Sequence, residues 1–169
     1  ASDWSSDVCS SDLTTEFLKI NPSGRTPVLD DDGFVLAESN AILAYLACGT
    51  KFLPYDKKLF GLVFQWLFFE QYSHEPFIAT SRFWLQHKPD SPEKTALLAA
   101  KRDGGWAALK IMEEHLAKHE FFVGDYSIAD IALFAYTHVA DEGGFPLDDY
   151  SKIRSGSEGK KAKLVLFQM

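Results

Sequence analysis

Two short apolar runs, Val28-Leu29 and Phe34-Val35-Leu36, stand on either side of Asp30-Asp31-Asp32-Gly33. Asp and Gly tolerate the tight backbone of a hairpin turn, so this pattern predicts a pair of antiparallel strands. The stretch Asn21-Pro22-Ser23-Gly24-Arg25-Thr26-Pro27 leads in as a loop, with Pro27 heading the first strand. Past the hairpin, Ser39–Cys48 reads as a short helix with Ile42, Tyr45 and Leu46 on its inner face, stopped by Gly49. Pro54 marks 51–56 as a linker, and a domain boundary is expected there.

From there the pattern turns helical. Leu59–Tyr72 is apolar almost all round, which a helix tolerates only when several sides are covered. A core on one side and a partner subunit on another would cover it. Pro76 bends or ends that helix, and Phe77–His87 continues helically. Ser91-Pro92-Glu93 is a helix start, and the helix should run to about Ala117 with Trp106, Leu109, Met112 and Leu116 along one face. Gly104-Gly105 in its middle costs about 1 kcal/mol per glycine relative to Ala, and close packing is one reason to keep them. Further on, Ser127 is placed to cap a helix while Asp130 reaches back to the Ser127 N–H. Tyr126 and Ile131 sit as an apolar staple across that cap.

Composition narrows the function classes. Of 169 residues, 46% are hydrophobic and 24% charged, so the chain is globular, with one domain or two small ones. A net charge of -7 argues against nucleic acid as the main partner, since phosphate binding needs clustered Lys and Arg. No apolar run is long enough to span a membrane, and no secretory signal opens the chain. Cys9 and Cys48 form no disulfide framework or metal spacing, so a cytoplasmic, reducing setting is expected. Ala1–Leu13 is crowded with Ser and Asp, lacks any helical or strand period, and resembles a translated sequencing adapter. It is read as a non-native or disordered tail.

The chemistry gathers at Glu38-Ser39, where a helix begins. A hydroxyl, the first backbone N–H groups and the positive end of a helix dipole meet there, and such a spot holds a carboxylate. The competing reading is a plain helix cap. Together, Asn21–Leu29, Ala37–Leu46 and Phe122–Ile131 resemble the glutathione transferase family, and the likeness extends from about Phe17 to Arg154. From Ser155 it fails, and 155–169 is read as an uncertain, possibly frame-shifted tail.

That resemblance implies an α+β chain. A partial thioredoxin-like domain at 14–50, made of a β-hairpin plus a helix, binds glutathione, and an all-helical C-terminal domain follows at 57–154. It implies that Ser39 donates to the γ-glutamyl carboxylate, that Glu38 faces the ammonium, and that the Thr26 backbone pairs with the cysteinyl backbone. Pro27 follows a peptide bond expected to be cis, against the alternative of an ordinary trans proline opening an edge strand. Arg25 either clamps the glycyl carboxylate or is solvated. Ser127 and Asp130 are expected to act structurally, matching the family's N-capping box.

Glu70, Tyr72 and His74 line an electrophile pocket or a dimer contact in this reading, or are simply satisfied polar groups. His115 and His119 have the spacing of two metal ligands, but no third accompanies them, so no metal is expected. The family's catalytic Tyr, Ser or Cys belongs to a βαβ unit expected to precede this segment, and no residue here matches it. Cys9, Ser10 and Ser11 have the chemistry without the context. The function implied is transfer of the glutathione thiolate to a small hydrophobic electrophile by a homodimer, with glutathione as co-substrate. The alternative is a transferase-like binding or dimerisation module without catalysis.

Overall fold

A computed structural model describes residues 14–156, which fall into two compact units divided between Cys48 and Gly49. The expected tails at 1–13 and 157–169 lie outside the described residues.

Among the described residues, the first unit opens on a helix that the apolar pattern did not predict, α1 (Thr15–Ile20). Thr14 caps it by accepting the Phe17 N–H at 3.2 Å, with Glu16 in the first turn and Lys19 in the last. Six residues are too few for a helical period to declare itself, so the cap was its only signal. The hairpin follows as β1 (Val28–Asp31) and β2 (Phe34–Ala37), antiparallel, with Val28 opposite Ala37 and Asp31 opposite Phe34. The strands therefore run into the aspartates, and the turn shrinks to Asp32-Gly33, at φ 50° and 89°. Two positive φ values in succession match the right-handed twist of the strands. Asp30 Oδ1 accepts the Gly33 N–H at 2.8 Å and holds the turn closed.

Next comes α2 (Ser39–Ala47). Its expected inner face needs correcting. Ile42 is half-buried, but Leu46 is 59% exposed and Tyr45 40%, while Ala47 is the buried residue. A two-stranded sheet offers the helix a narrow surface, and Tyr45 leans to its edge. Its ring lies 5.3 Å from that of Phe34 and its hydroxyl donates to Asp31 Oδ2 at 2.7 Å.

The second unit is helical. In α3 (Lys57–Phe69), Asp56 Oδ1 caps the Lys58 and Leu59 N–H groups, each at 3.0 Å. Val63, Trp66 and Leu67 face inward. The predicted helix to Tyr72 instead widens at Glu70–His74 into a π turn, before α4 (Glu75–His87). There the Glu75 N–H reaches back five residues to the Glu70 carbonyl. Pro76, in the first turn of α4, has no N–H to give, so a register change just before it accommodates the missing donor.

In α5 (Pro92–Leu116), Ser91 Oγ accepts the Lys94 N–H at 3.1 Å, and Leu109 and Met112 are buried. The packing explains both mid-helix glycines. A Cβ on Gly104 would lie 2.3 Å from the Phe77 ring, and one on Gly105 2.3 Å from the Phe145 ring. At the centre of this unit α6 (Ile128–Thr137) buries Ile128, Ala129, Asp130, Ala132, Leu133 and Thr137. The expected linker is tied to it, because the Phe52 carbonyl accepts the Ile128 N–H at 3.1 Å and Leu53 is buried. A last short helix, α7 (151–156), starts on the Glu113 carboxylate, which accepts the Lys152 and Ile153 N–H groups. Among the described residues no helix is long and apolar enough to cross a membrane.

Candidate functional site

The hairpin assembles the candidate site. One step beyond the last ladder pair, Val28 and Ala37, the two strand ends carry Pro27 and Glu38 side by side. The Arg25-Thr26-Pro27 approach and the Glu38-Ser39 start of α2 are therefore neighbours. Thr26-Pro27 is cis. Arg25, Thr26, Pro27 and Glu38 are exposed and Ser39 is half-buried, so all five are open to a ligand.

Glu38 has an uncommon backbone. At φ 73° it occupies a region that costs a non-glycine residue energy, of order 1–3 kcal/mol, and such outliers gather at binding sites. Its carbonyl accepts the Ile42 N–H at 2.9 Å and begins the helix, but the Glu38 side chain does not cap α2. A nine-residue helix that the Glu38 side chain leaves uncapped presents N–H groups and the positive end of its dipole beside an exposed carboxylate and a hydroxyl. This arrangement can take a zwitterion, its carboxylate on the helix start and its ammonium on Glu38.

In the second unit the predicted trio separates. Tyr72 is 85% exposed, whereas Glu70 and His74 are buried, so the π turn sends Tyr72 outward and its two ends inward. Gln71 Nε2 donates to Glu70 Oε2 at 2.9 Å. His74 Nε2 lies 2.9 Å from Thr137 Oγ1, whose single hydroxyl proton goes to the Leu133 carbonyl at 2.5 Å. The imidazole proton must then sit on Nε2, where it donates to Thr137. Burial holds the His74 pKa at about 4, well below the ordinary 6.5. Its ring is 0% exposed, so it lines no surface pocket in this conformation.

The rings of His115 and His119 stack with centroids 4.3 Å apart. One nitrogen of each approaches a main-chain oxygen, Phe121 at 3.3 Å and His115 at 3.1 Å. Among the described residues no group of three or more His, Cys, Asp or Glu is placed to hold a metal ion. Ser127 and Asp130 form a capping box, in which Asp130 Oδ2 accepts the Ser127 N–H at 3.0 Å and Asp130 Oδ1 the Phe122 N–H at 3.3 Å.

Comparison with known proteins places this architecture. The family model for the glutathione S-transferase N-terminal domain matches residues 9–48. Glutathione S-transferase F13 of Arabidopsis thaliana is 33% identical over 132 residues, which are 72% of this chain and 60% of the relative. Glutathione S-transferase 2 of Anopheles gambiae is 33% identical over 80% of this chain and 65% of its own length. Among solved structures, a glutathione S-transferase from Pseudomonas fluorescens is 48% identical with a TM-score of 0.84, over 88% of this chain and 75% of that one. One from Xanthobacter autotrophicus is 42% identical with a TM-score of 0.85, over 89% and 75%. The fold is that of a partial thioredoxin-like domain followed by a helical domain, and the chain belongs to the glutathione S-transferase family. It spans about 60% of the length of the first curated relative it matches.

Proposed function

We propose that this chain anchors glutathione for a glutathione S-transferase, which joins the glutathione sulfur to a small hydrophobic electrophile. The observation that carries this reading is the start of α2, which the side chain of a strained Glu38 leaves uncapped, next to the exposed Thr26-Pro27 step. An uncapped helix start favours an anion, and its dipole stabilises one by roughly 0.3–1 kcal/mol at an exposed site. The γ-glutamyl carboxylate takes the Ser39 hydroxyl and the helix amides, and its ammonium takes Glu38. The cysteinyl backbone pairs with that of Thr26, with Pro27 next to it. The glycyl carboxylate lies within reach of Arg25.

The chemical step is nucleophilic. The thiol loses its proton, the thiolate attacks an electrophilic carbon, and a leaving group such as halide departs with its electron pair. Free thiols have pKa near 8.5, so an activating donor is required at neutral pH. The family's donor is a Tyr, Ser or Cys, and no residue of this chain is assigned that role. The glutathione-binding domain is read as 14–50 and the helical domain as 57–154.

A homodimer joined along α3 suits the outward face of that helix, where Phe60, Leu62 and Phe68 are exposed and the Phe60 and Phe64 rings lie 4.7 Å apart. Detoxification in the cytoplasm is the role this activity would serve. Calorimetric titration with glutathione tests the anchor. Saturable binding is expected, weakened about tenfold by Ser39→Ala, as loss of one charge-assisted hydrogen bond predicts. Equal affinity in the two proteins would refute the anchor. Conjugation of a chromogenic aryl halide with glutathione, above the uncatalysed rate, tests the chemical step.

A further inference from the structure

Asn21 is 6% exposed in an otherwise open loop, and its side chain organises that loop. Nδ2 donates to the Arg25 carbonyl at 2.6 Å. Oδ1 accepts from the Ser23 N–H at 3.2 Å and from the Ser23 hydroxyl at 2.9 Å. Its main chain is engaged as well, with the N–H on the Phe17 carbonyl at 2.8 Å and the carbonyl taking the Gly24 N–H at 3.0 Å. Asn21 therefore ties the end of α1 to the residue just before Thr26.

The tie has a direction. The Arg25 carbonyl and the Thr26 N–H share one peptide plane, and that bond is trans, so the two groups point opposite ways. With the carbonyl turned inward to Asn21, the Thr26 N–H is turned outward on an exposed residue. Among the described residues that N–H makes no hydrogen bond. An orphan donor held rigidly at the surface is suited to a ligand acceptor.

We propose that Asn21 is a positioning residue for tripeptide binding, acting through the Arg25–Thr26 peptide to aim the Thr26 N–H at the cysteinyl carbonyl of glutathione. This rests on the glutathione-anchor reading above. Ser23 shares the Asn21 amide without touching the Arg25 carbonyl, so it separates aiming of the peptide from general loop order. Asn21→Asp keeps the shape and the acceptor but sets an oxygen against the Arg25 carbonyl.

The test is glutathione titration of the wild-type chain and of Asn21→Ala, Asn21→Asp, Ser23→Ala and Ser39→Ala, with the Thr26 amide followed by NMR. Both Asn21 variants should bind about tenfold more weakly or worse and lose the glutathione-dependent shift of the Thr26 amide. Ser23→Ala should stay within about twofold, since its hydroxyl bond is partly exposed and neutral. Wild-type affinity in folded Asn21 variants overturns the inference, while loss in Ser39→Ala keeps the anchor standing. A loss in Ser23→Ala as large as in Asn21→Ala also overturns it. If Asn21→Ala fails to fold, Asn21→Asp carries the comparison. If neither folds, a wild-type Thr26 amide unmoved by saturating glutathione overturns it alone. No saturable binding by the wild-type chain takes down both readings.

Discussion

His74 and Thr137 are 63 residues apart in sequence, yet His74 Nε2 and Thr137 Oγ1 lie 2.9 Å apart inside the helical unit. The contact joins the π turn to the end of α6, and it requires a neutral imidazole, because Nδ1 finds no hydrogen-bond partner among the described residues. Protonation would place a charge in a buried site and leave its Nδ1–H without an acceptor among the described residues.

Acid should therefore weaken the fold through this residue. The folded pKa, about 4, lies below the unfolded 6.5, so the contribution is complete above pH 6.5 and lost as pH falls through 4. The shift corresponds to about 3 kcal/mol across that window. Urea unfolding of wild type and His74→Gln between pH 7 and pH 4 measures it. The variant should be less stable at pH 7 but less sensitive to acid. His115, whose pKa burial also lowers, contributes in the same direction to both proteins and cancels in the comparison. Parallel pH profiles would refute the assignment.

Replacing either mid-helix glycine of α5 by alanine should destabilise, against the usual gain of about 1 kcal/mol for Gly→Ala in a helix. The new Cβ would meet Phe77 or Phe145 at 2.3 Å, and overpacking of this kind costs about 1–3 kcal/mol. Gly105→Ala should be worse, because Phe145 is buried whereas Phe77 is half-buried and has room to turn. Thermal unfolding gives the order, and Phe145→Leu added to Gly105→Ala should recover part of the loss.

Much of this was readable in the chain because the signals are local. Asp32-Gly33 declares a turn, Ser91-Pro92 a helix start, and Ser127 with Asp130 a cap, each within four residues of the structure it makes. Thr26, Pro27, Glu38 and Ser39 are candidates for the site through family motifs carried by the same local stretches. What was missed depends on distant partners or on backbone that no side chain announces. The π turn needs Thr137 to receive His74, and the glycine pair needs Phe77 and Phe145. Leu46 turned outward because the sheet beneath α2 is narrow. Nothing about a glutamate signals φ 73°, and Asn21 looks like any loop asparagine until its three side-chain bonds are seen.

Asp130 should matter more than Ser127 in the capping box. Its carboxylate is wholly buried and accepts from the Ser127 N–H, the Ser127 hydroxyl and the Phe122 N–H. Asp130→Ala strands buried donors and should cost about 3 kcal/mol or more, whereas Ser127→Ala should cost about 1. Denaturant unfolding of the two variants decides, and equal losses would mean that the carboxylate does not organise the turn before α6.

The last prediction concerns the first unit, where Tyr45 donates to Asp31 Oδ2 at 2.7 Å. That hydrogen bond holds the phenol pKa above its ordinary 10.0, since deprotonation would break the bond and set two anions together. Burial also raises the phenols of Tyr126, Tyr136 and Tyr150, so several tyrosines should ionise late in a spectrophotometric titration, and Asp31→Asn should bring one of them down toward 10 by removing the negative charge. Tyr45→Phe should delete that one late component and leave the other late tyrosines in place. If Asp31→Asn leaves the titration unchanged, the pair is not formed in solution, and the hairpin end of α2 is looser than the contact implies. The same variants report on the site from a distance. Asp31 pairs with Phe34 at the turn, and Val28 pairs with Ala37 at the other end, beside Pro27 and Glu38. Glutathione affinity should therefore be unaltered in Asp31→Asn, which separates the ordering of the hairpin tip from the geometry of the cradle.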